Sequence, residues 1–294
     1  MTSRKNTFST LLVLLSLNVW AQEKQSDSLN EKTKIEITNK GIQFKKGKDF
    51  LMTFRFRTQL RAGYFSRLDE SDEAGFEALV RRMRLRFEGY VGSPKLEYKL
   101  QLSFANRDMD LNSGSPQIIR DAVFYYKPGA NWTFGLGQTK LPGNRERVNS
   151  SGELQMPDRS LANSKFTLDR DFGIFVDKDF IIKKQVILLK TAISTGDGRG
   201  QLFTDKGLAY TGRIEYMPFG HFKNKGDYFE GDLDFEETPK LSFGFTYSKN
   251  FGAVRSGGQL GSYLYSTYNK TEALSADIKT IIADAVLKYN GWAF

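Results

Sequence analysis

Two stretches, Phe50 to Phe65 and Ala78 to Gly92, alternate residue by residue between apolar and cationic side chains. In the first, Phe50, Met52, Phe54, Phe56, Leu60 and Tyr64 share one parity, and Arg55, Arg57, Gln59 and Arg61 share the other. In the second, Met83, Leu85, Phe87 and Val91 alternate with Arg82, Arg84, Arg86 and Glu88, and Arg81 stands just before the pattern settles. A period of two is that of a β-strand. The two stretches hold seven arginines and one acid, so pairing them as neighbours builds one face into a lattice of guanidinium groups. Its spacing is roughly 6.6 Å along each strand and about 4.8 Å between strands. Such a lattice repels itself and is tolerable only where water screens it or an anion sits in it. A dry core is excluded. Two arrangements remain: arginines facing outer solvent around an apolar soluble core, or arginines lining a wet lumen while the apolar parity faces lipid.

The rest of the chain favours the lumen. A mean hydropathy of −0.46 excludes a helical membrane protein but not a β-barrel, whose strands are apolar only at every second residue. The absence of cysteine removes structural disulfides and the usual thiol and zinc chemistry. Arg4 and Lys5, the apolar run Leu11 to Val19 and the small-residue site Val19-Trp20-Ala21 predict a signal peptide over residues 1–21. The run is far short of the ~20 residues that span a bilayer. Residues 22–48 read as a polar lead-in with a short hairpin from Ile35 to Phe44 around Gly41, and residues 49–294 as a transmembrane barrel region.

The alternation continues at Leu96 to Phe104, Asp121 to Tyr126, Trp132 to Gly137, Phe172 to Asp177, Gln185 to Ser194, Leu208 to Pro218, Lys240 to Lys249 and Lys279 to Tyr289, for about ten strands. The connections after the first, third, fifth, seventh and ninth are long, whereas those after the second, fourth and sixth are short, with turn chemistry in Gly92-Ser93-Pro94 and Lys127-Pro128-Gly129. An outer-membrane barrel alternates its loops in this way and a soluble sandwich has no reason to. The long acidic connection Phe219 to Pro239 is an exception. Phe50, Tyr64, Tyr90, Tyr125, Tyr126, Trp132, Tyr216, Phe219, Tyr289 and Trp292 lie near predicted strand ends, where aromatic girdles form. The fold class is therefore all-β, a transmembrane antiparallel β-barrel with a basic wall.

The stretch from Gly135 to Gly173 resembles the phosphate-selective porin family (porins O and P). The resemblance rests on Gly137, Gln138, Lys140 and Pro142; Glu146 and Arg147; Ser150 and Ser151; Arg159, Ser160 and Leu161; and Arg170, Asp171, Gly173 and Ile174. Weaker similarity covers Gly41 to Phe65, Arg120-Asp121-Ala122, Thr211-Gly212-Arg213 with Tyr216 and Pro218-Phe219-Gly220, and Asp284 with Lys288. The resemblance implies a sixteen-stranded outer-membrane porin, usually a homotrimer, whose third long loop folds inward to constrict the pore. It also implies a ladder of arginines for anions such as phosphate.

Arg55, Arg57, Arg61, Arg82, Arg84 and Arg86 have the parity for such a ladder, and arginine matches phosphate in bidentate fashion. A generic basic wall uses the same residues equally well. Lys140, Arg145, Arg147, Arg159 and Arg170 either bring charge to the constriction or form salt bridges with Glu146, Glu153, Asp158, Asp169 and Asp171 that hold the loop. Arg213 and Glu215 read as a lumenal ion pair. One histidine, His221 in a turn, supports neither a metal cluster nor a nucleophilic triad, so no enzyme, metal or cofactor is expected. Asp232, Asp234, Glu236 and Glu237 lack the spacing of a calcium loop, and Thr195-Gly196-Asp197-Gly198 reads as a tight turn. Export and the lack of aromatics among the arginines argue against nucleic acid. The expected partners are small anions and outer-membrane lipid. The alternatives are a barrel with a plugged or structural lumen and a non-conducting porin fragment.

At the C-terminus, Ile281, Ala283, Ala285, Leu287 and Tyr289 make the outward parity, Asn290-Gly291 a turn, and Trp292 the start of a further strand. The family barrel needs about six strands more than the ten found here. The expectation is a truncated relative whose sheet is open at its first and tenth strands, with no ladder between Met52 to Ala62 and Ile281 to Tyr289.

Overall fold

In the computed structural model, which describes residues 32–66, 74–105, 108–109, 117–199, 207–264 and 274–294, the alternating stretches form one antiparallel sheet. Its strands are β1 (Lys34–Thr38), β2 (Gly41–Lys46), β3 (Phe50–Ser66), β4 (Ala74–Val91), β5 (Ser93–Ser103), β6 (Ile119–Gly129), β7 (Trp132–Lys140), β8 (Arg170–Ile182), β9 (Gln185–Ser194), β10 (Ala209–Met217), β11 (Lys240–Ala253), β14 (Ala276–Tyr289) and β15 (Trp292–Ala293). Each pairs with the next in that order. A separate small hairpin joins β12 (Arg255–Gly257) to β13 (Leu260–Tyr263). The predicted leader lies outside the described residues.

The sheet is open, and β3 and β14 do not pair with each other: β3 lies between β2 and β4, and β14 between β11 and β15. The edges differ from those expected. They fall at β1 and β15, because the hairpin around Gly41 continues onto β3 through Ile42 opposite Phe54, and Trp292 pairs back onto Tyr289.

Polarity is distributed inside out. Along β11 the buried side chains are Ser242, Thr246, Ser248 and Asn250, while Phe243, Phe245 and Tyr247 between them are exposed. On β10 Thr211, Arg213 and Glu215 are buried and Tyr210 and Ile214 exposed; on β14 Ile281, Leu287 and Tyr289 face out and Lys288 is buried. Water would penalise this apolar surface, and lipid solvates it. Two expected interface aromatics face the other way: Tyr90 shares the inward parity of Arg86 and Glu88, and Tyr125 shares that of Asp121 and Val123 and lies against Gly135.

The β3–β4 hairpin is longer than its pattern suggested because a bulge conceals the continuation. Gln59 pairs with Arg82 and Leu60 with Val80, leaving Arg81 as the extra residue. Beyond it the parity resumes in the opposite phase. The short turns lie at the other end of the sheet: Gly92 (φ +71°), Ala130-Asn131 (φ +48° and +59°) and Asn290-Gly291 (φ +50° and +88°). The last two have the paired positive φ of the hairpin turns that match strand twist.

The connection from β7 to β8 runs along the inner face as a strap, carrying short helices α1 (Arg145–Val148) and α2 (Leu161–Lys165). Arg145 bonds β14 through Asp284, and Ser151 bonds β3 through Arg57. Those strands are nine steps apart in the sheet order, roughly 43 Å if the sheet were flat. Six residues that include a helical turn cover only about 15 Å before side chains are added. The sheet therefore curls around the strap. Leu141 and Leu168 seat the strap against Phe175 and Ala192, and Phe222 of the 218–239 connection packs on Val186, Leu188 and Met217.

Leu136, at the middle of β7 on the exposed face, is expected to lose ~2 to 4 kcal/mol of bilayer stability on substitution by arginine. Urea titration of the folded fraction in vesicles checks this. A Leu136→Arg chain as stable as the parent contradicts the assignment of that face to lipid.

Candidate functional site

The arginines of β3 and β4 stand opposite one another: Arg55 faces Arg86, Arg57 faces Arg84, and Gln59 faces Arg82. Like charges directly across a ladder are destabilising, so the compensation at each rung decides what the wall can do. At the lowest rung Glu88 accepts from both Arg55 and Arg86. At the top Arg61 bonds both Glu77 oxygens at 2.7 Å and Asp158 at 3.3 Å. Asp158, carried by the strap, also takes Arg81 at 2.7 Å and Arg82 at 3.1 Å. Arg82 further donates to Gln59 and, at 2.9 Å, to the Pro157 carbonyl. Burial opposes ionisation of Asp158, but Arg81, Arg82 and Arg61 hold its carboxyl below the usual range.

The middle rung differs. Arg57 donates to the Ser151 carbonyl at 2.7 Å and to its hydroxyl at 3.2 Å, and Arg84 donates to the same hydroxyl at 2.8 Å. Among the described residues neither guanidinium has a carboxylate within ion-pair distance. The Arg84 Nε–H is buried without a partner, as are those of Arg55 and Arg86 on the rung below. Gly152 permits the approach, since a Cβ there would lie 2.7 Å from an Arg57 nitrogen. The wall is thus not the uniformly unpaired lattice that the pattern suggested. Glu77, beyond the bulge, and Asp158, from the strap, supply the missing acid.

The basic residues of the strap hold it in place. Arg145, 4% exposed, bonds Asp284 and the Ser242 hydroxyl at 2.9 Å and the Asp227 carbonyl at 3.1 Å, with Glu215 at 3.7 Å. Arg147 pairs with Asp169 at 2.6 Å. Arg170 bonds Asp121 at 3.1 Å and Asp169 at 3.5 Å. Lys140 donates to the Val148 and Asn149 carbonyls, and Arg159 to those of Glu146 and Asn149. Burial, then Arg147, pushes Arg159 down to about 10, which leaves it cationic at neutral pH.

Further inward charges complete this face, with partners that alternation alone did not identify. Glu215 accepts Arg213 at 2.6 Å, as expected, and also Lys190 at 3.1 Å and the Tyr228 hydroxyl. Asp284 takes both Arg213 and Arg145. Lys99 shares Asp121 with Arg170, and Asp108 binds Arg120 and Arg199. The Thr195 to Gly198 segment is a tight turn whose Gly196 and Gly198 N–H groups cap Asp171. Asp232 and Glu236 accept backbone N–H groups.

A curled antiparallel sheet with lipid-grade residues outside, charge inside and a strap across the lumen side is the construction of a porin. The chain matches the family described as phosphate-selective porin O and P over residues 52–220 of its 294, and it belongs to that family. Porins are channels rather than enzymes. A comparison with curated proteins finds none that matches.

Replacing Arg145 by Met leaves buried Asp227 without an ion-pair partner among the described residues and takes one of several cations from Glu215 and Asp284, a loss on the order of 3–5 kcal/mol for breaking a buried pair. Faster proteolysis of the strap checks it; unchanged cleavage refutes the latch. The second expectation concerns pH. Burial opposes ionisation of Asp169, yet Arg147 and Arg170 hold its carboxyl well below the usual range. Its contribution is present above the unfolded value of about 3.9 and is lost as pH falls from there toward the folded value. Strap protection should persist at pH about 5 and decline below pH about 4; a strap equally protected in strong acid contradicts this.

Proposed function

We propose that the chain forms the wall of an outer-membrane channel through which small anions, phosphate among them, diffuse passively. Export through the leader at residues 1–21 and assembly as a homotrimer in outer-membrane lipid belong to the same proposal. The observation that carries it is the rung formed by Arg57 and Arg84. Two guanidinium groups face each other there, and the strap meets them with a hydroxyl and a carbonyl rather than with a carboxylate. The rung therefore keeps positive charge that no carboxylate pairs directly, and a mobile anion can balance it. The rungs on either side each hold a carboxylate, Glu88 below and Asp158 above, so their arginines are partly neutralised from within. Ser151 is a neutral donor and acceptor that an incoming oxyanion can displace or share.

A plugged lumen is the competing reading, because Asp158 gathers three arginines under the strap. Conductance separates the two. In a planar bilayer the full chain should show a current whose zero-current potential in a salt gradient lies toward that of the anion. No current supports the plug, and cation preference defeats the anion reading. Arg57→Gln with Arg84→Gln should weaken phosphate block of chloride current by about tenfold, the scale of one charge-assisted hydrogen bond. Arg145→Gln with Arg147→Gln should act mainly on strap stability, because both side chains already hold carboxylates. A larger loss of phosphate block in that second pair places the selectivity in the strap instead.

A further inference from the structure

Residues 218–239 leave the sheet at its short-turn end and are nevertheless folded against the inner face. Lys240 donates to the Phe219 carbonyl at 2.9 Å, the Asn290 N–H to the Glu236 carbonyl at 2.8 Å, and the Gly291 N–H to Asp232 at 2.8 Å. These bonds fix the segment beside the Asn290-Gly291 turn. Lys288, inward on β14 and 1% exposed, donates to the Gly226 and Gly231 carbonyls at 2.6 and 2.5 Å. An ammonium that is wholly buried and bonded to two backbone carbonyls of one connection is a built anchor.

The strap comes from the opposite end of the sheet, between the end of β7 and the start of β8. The two connections meet. The Glu230 N–H donates to the Glu153 carbonyl at 3.0 Å, the Gln155 N–H donates to the Glu230 carboxylate at 2.7 Å, and Arg145 donates to the Asp227 carbonyl. The seam is joined backbone to backbone. It also carries charge: Glu153 accepts the Ser150 N–H at 3.2 Å and Glu230 accepts the Gln155 N–H. Both are half-buried, and among the described residues neither has a cation within ion-pair distance. Glu153 directly follows Gly152, which packs on Arg57.

We propose that residues 218–239 are a second, fixed wall of the constriction, and that Glu153 and Glu230 at its seam with the strap set how strongly the channel discriminates anions from cations. The inference rests on the channel reading above. Glu153 follows Gly152 against Arg57, and Glu230 joins it through the seam. Charge without a direct ion pair on these two offsets part of the potential of the Arg57 and Arg84 rung, so the constriction is a basic wall faced by an acidic seam rather than a uniformly basic ring. Removing the seam charge deepens the preference for anions.

The test uses the full chain in planar bilayers under a potassium chloride gradient. Glu153→Gln with Glu230→Gln keeps an acceptor oxygen for each N–H while deleting both charges. The anion-to-cation permeability ratio should rise about threefold over the parent chain. An unchanged or lower ratio overturns the role of the seam. A parent chain that itself prefers cations, or passes no current, overturns the channel reading instead.

The fixed wall is checked by Glu153→Cys with Glu230→Cys, because the chain has no native cysteine to compete. A backbone bond between the two positions places their Cα atoms within the ~4.4–6.8 Å that a disulfide bridges. Mild oxidation should give a bond, visible as a mobility shift on a non-reducing gel, and the oxidised channel should conduct as the reduced one does. Absence of the bond, or loss of current on oxidation, overturns the fixed wall, and the gel result does not depend on any conductance.

Discussion

The mutual repulsion of arginines across one β-ladder is the constraint that the other features answer. Arg55 opposite Arg86 and Arg57 opposite Arg84 place like charges about 5 Å apart at Cβ, on a sheet whose outer parity is mostly apolar and carries no acid beside them. Nothing outside can relieve that repulsion. Relief therefore comes from the same two strands, through Glu88 and Glu77, or from a segment laid along the inner face, through Ser151 and Asp158. The strap is thus both a partial occupant of the lumen and a condition for the wall behind it to be stable.

Much of the architecture was legible because the side-chain period of a strand is two and lipid tolerates no exceptions to it. The parity of β14 was readable from Asp284 and Lys288 alone, since the register that turned them outward would have placed charge in hydrocarbon. The Gln185 to Ser194 strand was read to its residue bounds, and the hairpin around Gly41 and the turn at Asn290-Gly291 were recognisable from their glycines. Strand ends were less legible. β8 runs to Ile182, well past the predicted Asp177, because its pairing with β9 continues through Asp179 and Phe180 to a two-residue turn.

The candidate site was only half legible. Parity gave each arginine its face, but the partners of those arginines lie far away in sequence. Asp158 is 97 residues from Arg61, and Asp284 is 139 from Arg145. No local pattern encodes a pairing at that separation. The sequence places Arg57 on a strand and Arg145 in the long loop, but what decides their roles is that Arg145 meets three carboxylates and Arg57 a serine. The family motif through Gly137, Gln138 and Lys140 located the strap without saying which of its charges are spoken for.

The bulge at Arg81 has a consequence for how the hairpin tolerates change in length. It is a phase correction of one residue: below it Arg82, Arg84 and Arg86 keep the inward parity, and above it Glu77 and Leu79 do. Deleting Arg81 while keeping the lower register would let Val80 follow Arg82 directly and pair with Leu60 as it does now, so the bulge would close into a regular ladder. Phe76 and Val80 would stay outward and Glu77 inward, and the loss would be the Arg81 bond to Asp158. Arg81 is thus an inserted residue that the bulge absorbs without turning either half of the strand inside out. A homologue that gains or loses one residue elsewhere in this hairpin needs a bulge of its own to keep both halves facing the same way.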